Sequence, residues 1–77
     1  MEDKKKVEAV LFTTGRFMDL DEISKACGIG SIGYIKELIE KLKKDFFEKD
    51  SALTIQELDD KYKLNIKKEY GQITNKL

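Results

Sequence analysis

The hydrophobic pattern of this chain changes its period once, near residue 50, and this change restricts the fold more than any other feature. In residues 32–48, apolar side chains recur at the three- and four-residue spacing of an amphipathic helix. Further along, apolar and polar residues alternate in two short runs, as in half-buried strands. The helical positions are Ile35, Leu38, Ile39, Leu42 and Phe46, and the alternating ones are Leu53, Ile55, Tyr62, Leu64 and Ile66. The pattern predicts a long helix followed by a β-hairpin.

Two shorter helices are predicted before this long helix. The first runs from Asp3 to Thr14, and Gly15 is suited to the left-handed position that ends a helix. Phe12 lies off the narrow apolar stripe of this helix, so we expect the helix to be buried over a broad arc. The second helix runs from Leu20 to Cys27, and Gly28 ends it.

Capping and turn residues mark the other boundaries, since proline is absent. Asp19 and Glu22 have the spacing of a capping box at the start of the second helix. Ser31 is suited to cap the third helix, Ile32 to about Glu48, after a tight glycine turn. Asp59-Asp60 lies between the alternating runs and predicts the turn of the hairpin.

This order of elements is that of a winged helix-turn-helix: mainly α, with three helices, a two- to three-stranded wing and a C-terminal helix. The C-terminal helix is predicted within residues 67–77, where Tyr70, Ile73 and Leu77 have helical spacing. The chain has 77 residues. We expect residues 1–77 to form a single domain.

The distribution of charge argues against sequence-specific DNA reading. Fifteen basic residues are balanced by fifteen acidic ones, whereas a duplex reader usually presents a basic face. The third helix, which would enter the major groove, contains no arginine, the commonest reader of guanine. The wing carries Glu57, Asp59 and Asp60 without a basic residue between positions 51 and 60. An acidic wing is repelled by phosphates.

Two kinds of macromolecular partner remain open. The leading hypothesis is a protein partner, with Ile32, Tyr34 and Phe47 as candidate surface residues because they lie outside the core stripe. The alternative is a DNA-binding regulator that grips a duplex weakly and without sequence preference. Its candidate contacts are Lys36, Lys41, Lys44 and Lys63.

Catalysis, metal binding and membrane insertion find little support in the composition. Histidine is absent and Cys27 is the single cysteine. A metal site therefore lacks its usual ligands, and general acid–base catalysis lacks its commonest residue. We expect no enzyme activity and no cofactor, and we interpret Cys27 as a small buried apolar residue. No stretch is long and apolar enough to span a membrane, and we expect a cytoplasmic protein.

Several segments, in order, resemble one known family. Residues 7–15, VEAVLFTTG, are similar to the opening of segregation and condensation protein B, ScpB, and residues 16–23 occupy the second half of that opening. Residues 26–29, ACGI, are similar to the end of its second helix. Residues 53–56 and 62–66 resemble its wing, and Glu69-Tyr70 with Lys76-Leu77 resembles the segment that follows. Phe17 and Lys68 replace typical prolines, and Asp59-Asp60 replaces a glycine pair.

The resemblance implies a function in chromosome biology. Members of the ScpB family are non-catalytic accessory subunits of the SMC complex, which dimerise and bind the kleisin subunit ScpA in chromosome condensation and partition. The family carries two tandem winged helices, so the resemblance implies that this chain corresponds to the amino-terminal one. For this chain the resemblance implies a nucleoid-associated homodimer, with self-association favoured over direct binding of the kleisin. Binding to ScpA and SMC is then expected of the full-length protein, with nucleic acid contacted weakly or indirectly.

Overall fold

The helices form where the apolar stripes predict them. A computed structural model describes residues 2–70 of the chain. Its elements are α1 (Asp3–Thr14), β1 (Met18–Asp19), α2 (Leu20–Cys27), α3 (Ile32–Glu48), β2 (Leu53–Leu58), β3 (Lys61–Ile66) and a 3₁₀ turn (Lys68–Tyr70). The structure confirms the winged helix-turn-helix fold. Most of the C-terminal helix expected after residue 67 lies outside the described residues.

The three strands form one antiparallel sheet in the order β1-β3-β2. Leu53 of β2 pairs with Ile66 of β3, and the ladder continues to the pair Leu58 and Lys61. Met18 of β1 pairs with Tyr62 on the other side of β3. Both Asp59 and Asp60 have positive φ, 52° and 60°, as the two-residue turn of a tight hairpin requires. Two aspartates therefore serve where glycine or asparagine is more common.

The capping box predicted at α2 is present. Glu22 N–H donates to the Asp19 carboxylate at 2.8 Å, and the Glu22 carboxylate accepts from Asp19 N–H at 3.4 Å. Arg16 donates to the same Glu22 side chain at 2.8 Å. These hydrogen bonds, that from Arg16 first, lower the pKa of Glu22. The start of α2 is thereby fixed directly after β1.

The core lies where the three helices meet the inner face of the sheet. Its eleven buried apolar residues come from all three helices and all three strands. They are Val7, Leu11, Met18, Ile23, Ile35, Leu38, Ile39, Leu42, Phe46, Ile55 and Tyr62. The α3 stripe supplies five of them, which confirms it as the central apolar face of the fold.

The broad burial expected for α1 is wrong at one residue. Only Val7 and Leu11 of α1 are buried, and the Phe12 side chain remains 74% exposed. The reason is geometric, because successive helical residues point about 100° apart. With Leu11 directed into the core, Phe12 lies beyond the edge of the contact with α2 and α3.

Two polar contacts join the start of α1 to α3. Lys4 Nζ donates to the Asp45 carboxylate, and the Tyr34 hydroxyl donates to Asp3 Oδ2 at 3.1 Å. The hydrogen bond from Lys4 is the largest cause of a lowered Asp45 pKa. The same bond raises the pKa of Lys4. The pair therefore stabilises the folded chain only while both groups are charged.

This pair gives the domain a sensitivity to acid. The Asp45 pKa is lower in the folded chain than its ordinary value of 3.8, so its stabilising effect is complete above that value and is lost as the pH falls through the folded pKa. We expect the free energy of unfolding to fall less steeply below pH 3.8 in Asp45→Asn than in the wild type. Urea unfolding between pH 2.5 and 6 (roughly the range over which carboxylates titrate) measures this.

The matched control is Asp50→Asn. Asp50 lies in the left-handed region, which asparagine also tolerates, and it makes no ion pair within residues 2–70. Its pH profile should therefore keep the wild-type slope. An Asp45→Asn profile parallel to that of the wild type would show that the Lys4–Asp45 pair does not contribute to acid sensitivity.

Candidate protein-interaction surfaces

An apolar groove lies between α1 and the base of the hairpin, at the end away from the Asp59–Asp60 turn. It has a volume of about 290 Å³ and is lined by Phe12, Leu53, Leu64, Asn65 and Ile66. Phe12 is 74% exposed and Ile66 is 41% exposed. Among these five lining side chains none is charged, so water is excluded from them at little electrostatic cost when a partner covers them. We call this the α1–hairpin groove.

A second groove lies between α3 and the outer edge of β2. Its volume is about 550 Å³, and the 79% exposed ring of Phe47 stands at its rim. The lining residues are Glu40, Lys43, Lys44, Phe46, Phe47, Leu53, Thr54, Ile55 and Lys67. We call this the α3–β2 groove. It combines apolar side chains with three lysines and one glutamate.

The two grooves meet at Leu53, which lines both of them. The apolar surface therefore continues around the base of the hairpin from Phe12 to Phe47. These are the two most exposed large apolar side chains among residues 2–70. Single exposed apolar residues are normal on protein surfaces, but contiguous ones mark interaction sites.

The three residues predicted as a partner surface do not lie together. Phe47 belongs to the α3–β2 groove, whereas Ile32 and Tyr34 are in the first turn of α3. At 1.5 Å per residue, Tyr34 and Phe47 are separated by roughly 20 Å along the helix. Tyr34 is engaged by its hydrogen bond to Asp3, which raises the pKa of its hydroxyl. Ile32 and Tyr34 are 45% and 38% exposed.

The lysines proposed for DNA contact are interrupted by acidic residues and are spread over two elements. Lys36 and Lys41 line one exposed face of α3 together with Glu37 and Glu40. Lys44 lies 3.9 Å from Glu48. Lys63 is on β3, with its ammonium 5.7 Å from the centre of the Phe17 ring, within cation–π range. These four lysines do not form one continuous basic ridge.

Residues 2–70 contain no group of three or more histidine, cysteine, aspartate or glutamate side chains that could hold a metal ion. Cys27 is half-buried against the core. Burial raises the pKa of its thiol, which disfavours the reactive thiolate. No helix within the same part of the chain has the length and apolar content needed to cross a bilayer.

Sequence reasoning missed Phe12 and Leu53 as surface residues. The only sequence signal for Phe12 is its displacement from the apolar stripe, and a broadly buried helix gives the same signal. Leu53 is part of the strand alternation and partly buried against the core, so its pattern predicts a core residue. Only the placement of α1 and α3 beside the hairpin shows that its remaining surface joins two grooves.

The fold and the two grooves define a winged-helix protein with candidate surfaces for protein contact. A family model described as "Segregation and condensation complex subunit ScpB" matches residues 5–77. The chain therefore belongs to the ScpB family. No curated protein sequence matches it significantly.

Solved structures agree with this assignment. One is a crystal structure of a dimer of the ScpB N-terminal domain complexed with a ScpA peptide; it is 31% identical, has a TM-score of 0.83, and the match covers 96% of this chain and 85% of that one. ScpB from Mycobacterium tuberculosis is 13% identical with a TM-score of 0.86, over 97% of this chain and 46% of that one.

A conserved hypothetical protein from Chlorobium tepidum also shares the fold, with 15% identity and a TM-score of 0.81. The match covers 96% of this chain and 46% of the Chlorobium chain. This chain thus spans less than half the length of the Mycobacterium and Chlorobium proteins and most of the length of the isolated ScpB N-terminal domain.

Proposed function

We propose that this chain is a non-catalytic subunit of a chromosome segregation and condensation complex, and that it acts by forming a homodimer and binding a segment of a ScpA-type kleisin. The proposal rests on one observation: a relative that is 31% identical to this chain has a crystal structure described as a dimer of the ScpB N-terminal domain complexed with a ScpA peptide. The two grooves support it, since each offers an exposed aromatic side chain to a protein partner.

We assign the two partners to different grooves. The α1–hairpin groove has no charged lining residue and suits a second copy, because a two-fold interface brings identical patches together and like charges there would repel. The α3–β2 groove carries lysines and suits a partner of different charge. Of the sequence-predicted partner residues, Phe47 belongs to this second surface. Ile32 and Tyr34 form a separate candidate contact at the start of α3.

The proposal extends to the architecture and the location of the protein. The chain corresponds to an amino-terminal winged-helix domain, as its coverage of the isolated N-terminal domain supports. Its site of action is the nucleoid in the cytoplasm, where it acts as an accessory to an SMC complex. Contact with nucleic acid is weak or indirect, because the α3 lysines alternate with Glu37 and Glu40.

The deciding experiment measures both kinds of association. Sedimentation velocity over a range of protein concentrations tests for a reversible dimer, and calorimetric titration with the ScpA protein from the same genome tests for kleisin binding. We expect both to be observed. A strictly monomeric protein that ignores ScpA would overturn the proposal. Binding to a random duplex at low ionic strength, tighter than to ScpA, would favour the DNA-binding alternative.

A further inference from the structure

Strand β2 forms one edge of the sheet. It is the outer strand in the order β1-β3-β2, and its ladder to β3 continues without a bulge from Leu53 to Leu58. Natural proteins usually protect such an edge with charged side chains, lysine above all, or with proline, a bulge or a very short strand. The β2 sequence, LTIQEL, has one charged residue, Glu57, and neither lysine nor proline, whereas β1 at the opposite edge has only two residues. Of the two outer strands within residues 2–70, β2 is the longer and offers six residues to a further strand.

One hydrogen bond shows which backbone groups of β2 point outward. Lys67 N–H donates to the carbonyl of Ala52 at 2.7 Å, so the carbonyl of Ala52 points towards the β3 side. In an antiparallel ladder, the N–H and C=O groups of one residue point towards the partner strand and those of the next residue point away from it. Thr54 and Gln56 therefore bond to β3, and the N–H and C=O groups of Ile55 and Glu57 point away from it.

Among residues 2–70, these outward groups have no partner from another element. The first outward N–H, that of Leu53, is already satisfied by the Ser51 hydroxyl at 3.0 Å. Within residues 2–70, no hydrogen bond from another element reaches the backbone of Ile55 or Glu57. The open part of the edge therefore begins at Ile55, where β2 lines the α3–β2 groove.

The groove provides side-chain recognition beside this edge. The residues of β2 whose backbone groups point away from β3 are Leu53, Ile55 and Glu57. Their side chains lie on one face of the sheet, because side chains alternate between the two faces along a strand. Among the lining residues of the groove, Leu53 and the exposed Phe47 ring offer apolar contacts. Lys44 and Lys67 offer positive charge. Lys67 makes no salt bridge among the described residues, and Lys44 makes one at 3.9 Å.

We propose that the α3–β2 groove binds an extended peptide segment of the kleisin partner, which adds to the sheet as a fourth strand beside β2. Its backbone would bond to Ile55 and Glu57. One of its side chains would be apolar, to cover Phe47, and another would be a carboxylate, to pair with Lys44 or Lys67. Strand addition of this type draws affinity from main-chain hydrogen bonds and specificity from alternate side chains. The assignment rests on the proposed function, since it names where the partner segment binds.

Charge favours a partner peptide over a second copy at this edge. The lining of the α3–β2 groove carries three lysines and one glutamate; a second copy would bring the same excess of positive charge to this edge, and like charges in an interface are unfavourable. An added strand needs only about 4.8 Å of space beside β2. A single extended segment meets this requirement while α3 remains in place.

A single proline substitution tests the main-chain hydrogen bond between β2 and the peptide. The N–H of Glu57 points away from β3, so proline there removes no ladder bond and is tolerated as on other edge strands. Glu57→Pro should weaken binding of the kleisin segment by about five- to tenfold, the effect of one lost hydrogen bond. The matched control is Glu57→Ala, which also removes the 3.7 Å ion pair with Lys43 but keeps the N–H. We expect its affinity to remain within about twofold of wild type.

The probe is a set of overlapping synthetic peptides that cover the ScpA protein from the same genome, with affinity measured by fluorescence anisotropy. Amide hydrogen exchange on the wild-type chain provides a second measurement that does not require a variant to fold. The amides of Ile55 and Glu57 should exchange rapidly in the free protein and become protected with the bound peptide. The amides of Thr54 and Gln56 should be protected in both states.

Three other outcomes of the exchange and binding measurements would contradict the proposal. Binding that protects other amides but leaves Ile55 and Glu57 exchanging overturns the added strand, while the proposed function stands. Protection of Ile55 and Glu57 in the free chain would show that another segment of the chain or a second copy occupies the edge, and would also overturn it. If ScpA binds neither as protein nor as peptides, the proposed function fails and this assignment fails with it.

Discussion

Replacing Ile39 with alanine is expected to lower the free energy of unfolding by about 2–5 kcal/mol, the range found when large aliphatic side chains are deleted from cores. Ile39 is fully buried in the middle of α3, where the helices and the sheet meet. A chain of this length has a total stability of roughly 4–12 kcal/mol. One truncation could therefore remove a large part of it.

The matched control is Leu58→Ala, which deletes the same number of carbon atoms from a side chain that is 56% exposed. We expect a change within about 0.5 kcal/mol, as for other surface substitutions. Urea unfolding monitored by circular dichroism compares the two variants. Equal destabilisation by both substitutions would contradict the central position of α3 in the core.

Replacing Phe12 with aspartate is expected to weaken self-association by about 30-fold or more, which corresponds to the 2 kcal/mol or more carried by an aromatic residue central to an interface. The substitution places a carboxylate in a groove whose other lining residues are uncharged. In a two-fold dimer it would also bring two carboxylates close together. Because Phe12 is 74% exposed, the fold of each protomer should be unchanged.

Sedimentation equilibrium of Phe12→Asp and of Thr13→Asp measures this effect. Thr13 is the next residue of α1, is exposed, and does not line the α1–hairpin groove. The two variants therefore share the same added charge on the same helix but differ in its position. A Phe12→Asp protein that dimerises like Thr13→Asp would show that the second copy docks elsewhere, although self-association itself would remain.

Much of the fold could be predicted from the sequence because local chemistry determines it. The α3 stripe, the capping box of Asp19 and Glu22, and the Asp59–Asp60 turn each depend on residues within one turn or one hairpin. Their predicted positions agree with the structure. The balance of charge also indicated a protein partner over a duplex, and the family assignment agrees with that expectation.

The interaction surfaces could be predicted only in part. Phe47 was recognised because it does not fit the α3 stripe, but its neighbours in the groove come from β2 and from Lys67. Phe12 was expected to be buried and is exposed. Ile32 and Tyr34 were grouped with Phe47, yet they lie near the other end of α3. Sequence periodicity shows which face of a helix is apolar, but not which other element lies beside it.

The sequence by itself determined the order of the elements, their boundaries and the central apolar stripe of α3, because these follow from periodicity, caps and turns that act over a few residues. Only the tertiary structure decided how α1, α3 and the hairpin pack together. That packing places Leu53 between two grooves and leaves the edge of β2 beside Phe47. Contacts between residues distant in the chain depend on how whole elements fit against each other, and no local pattern records that fit.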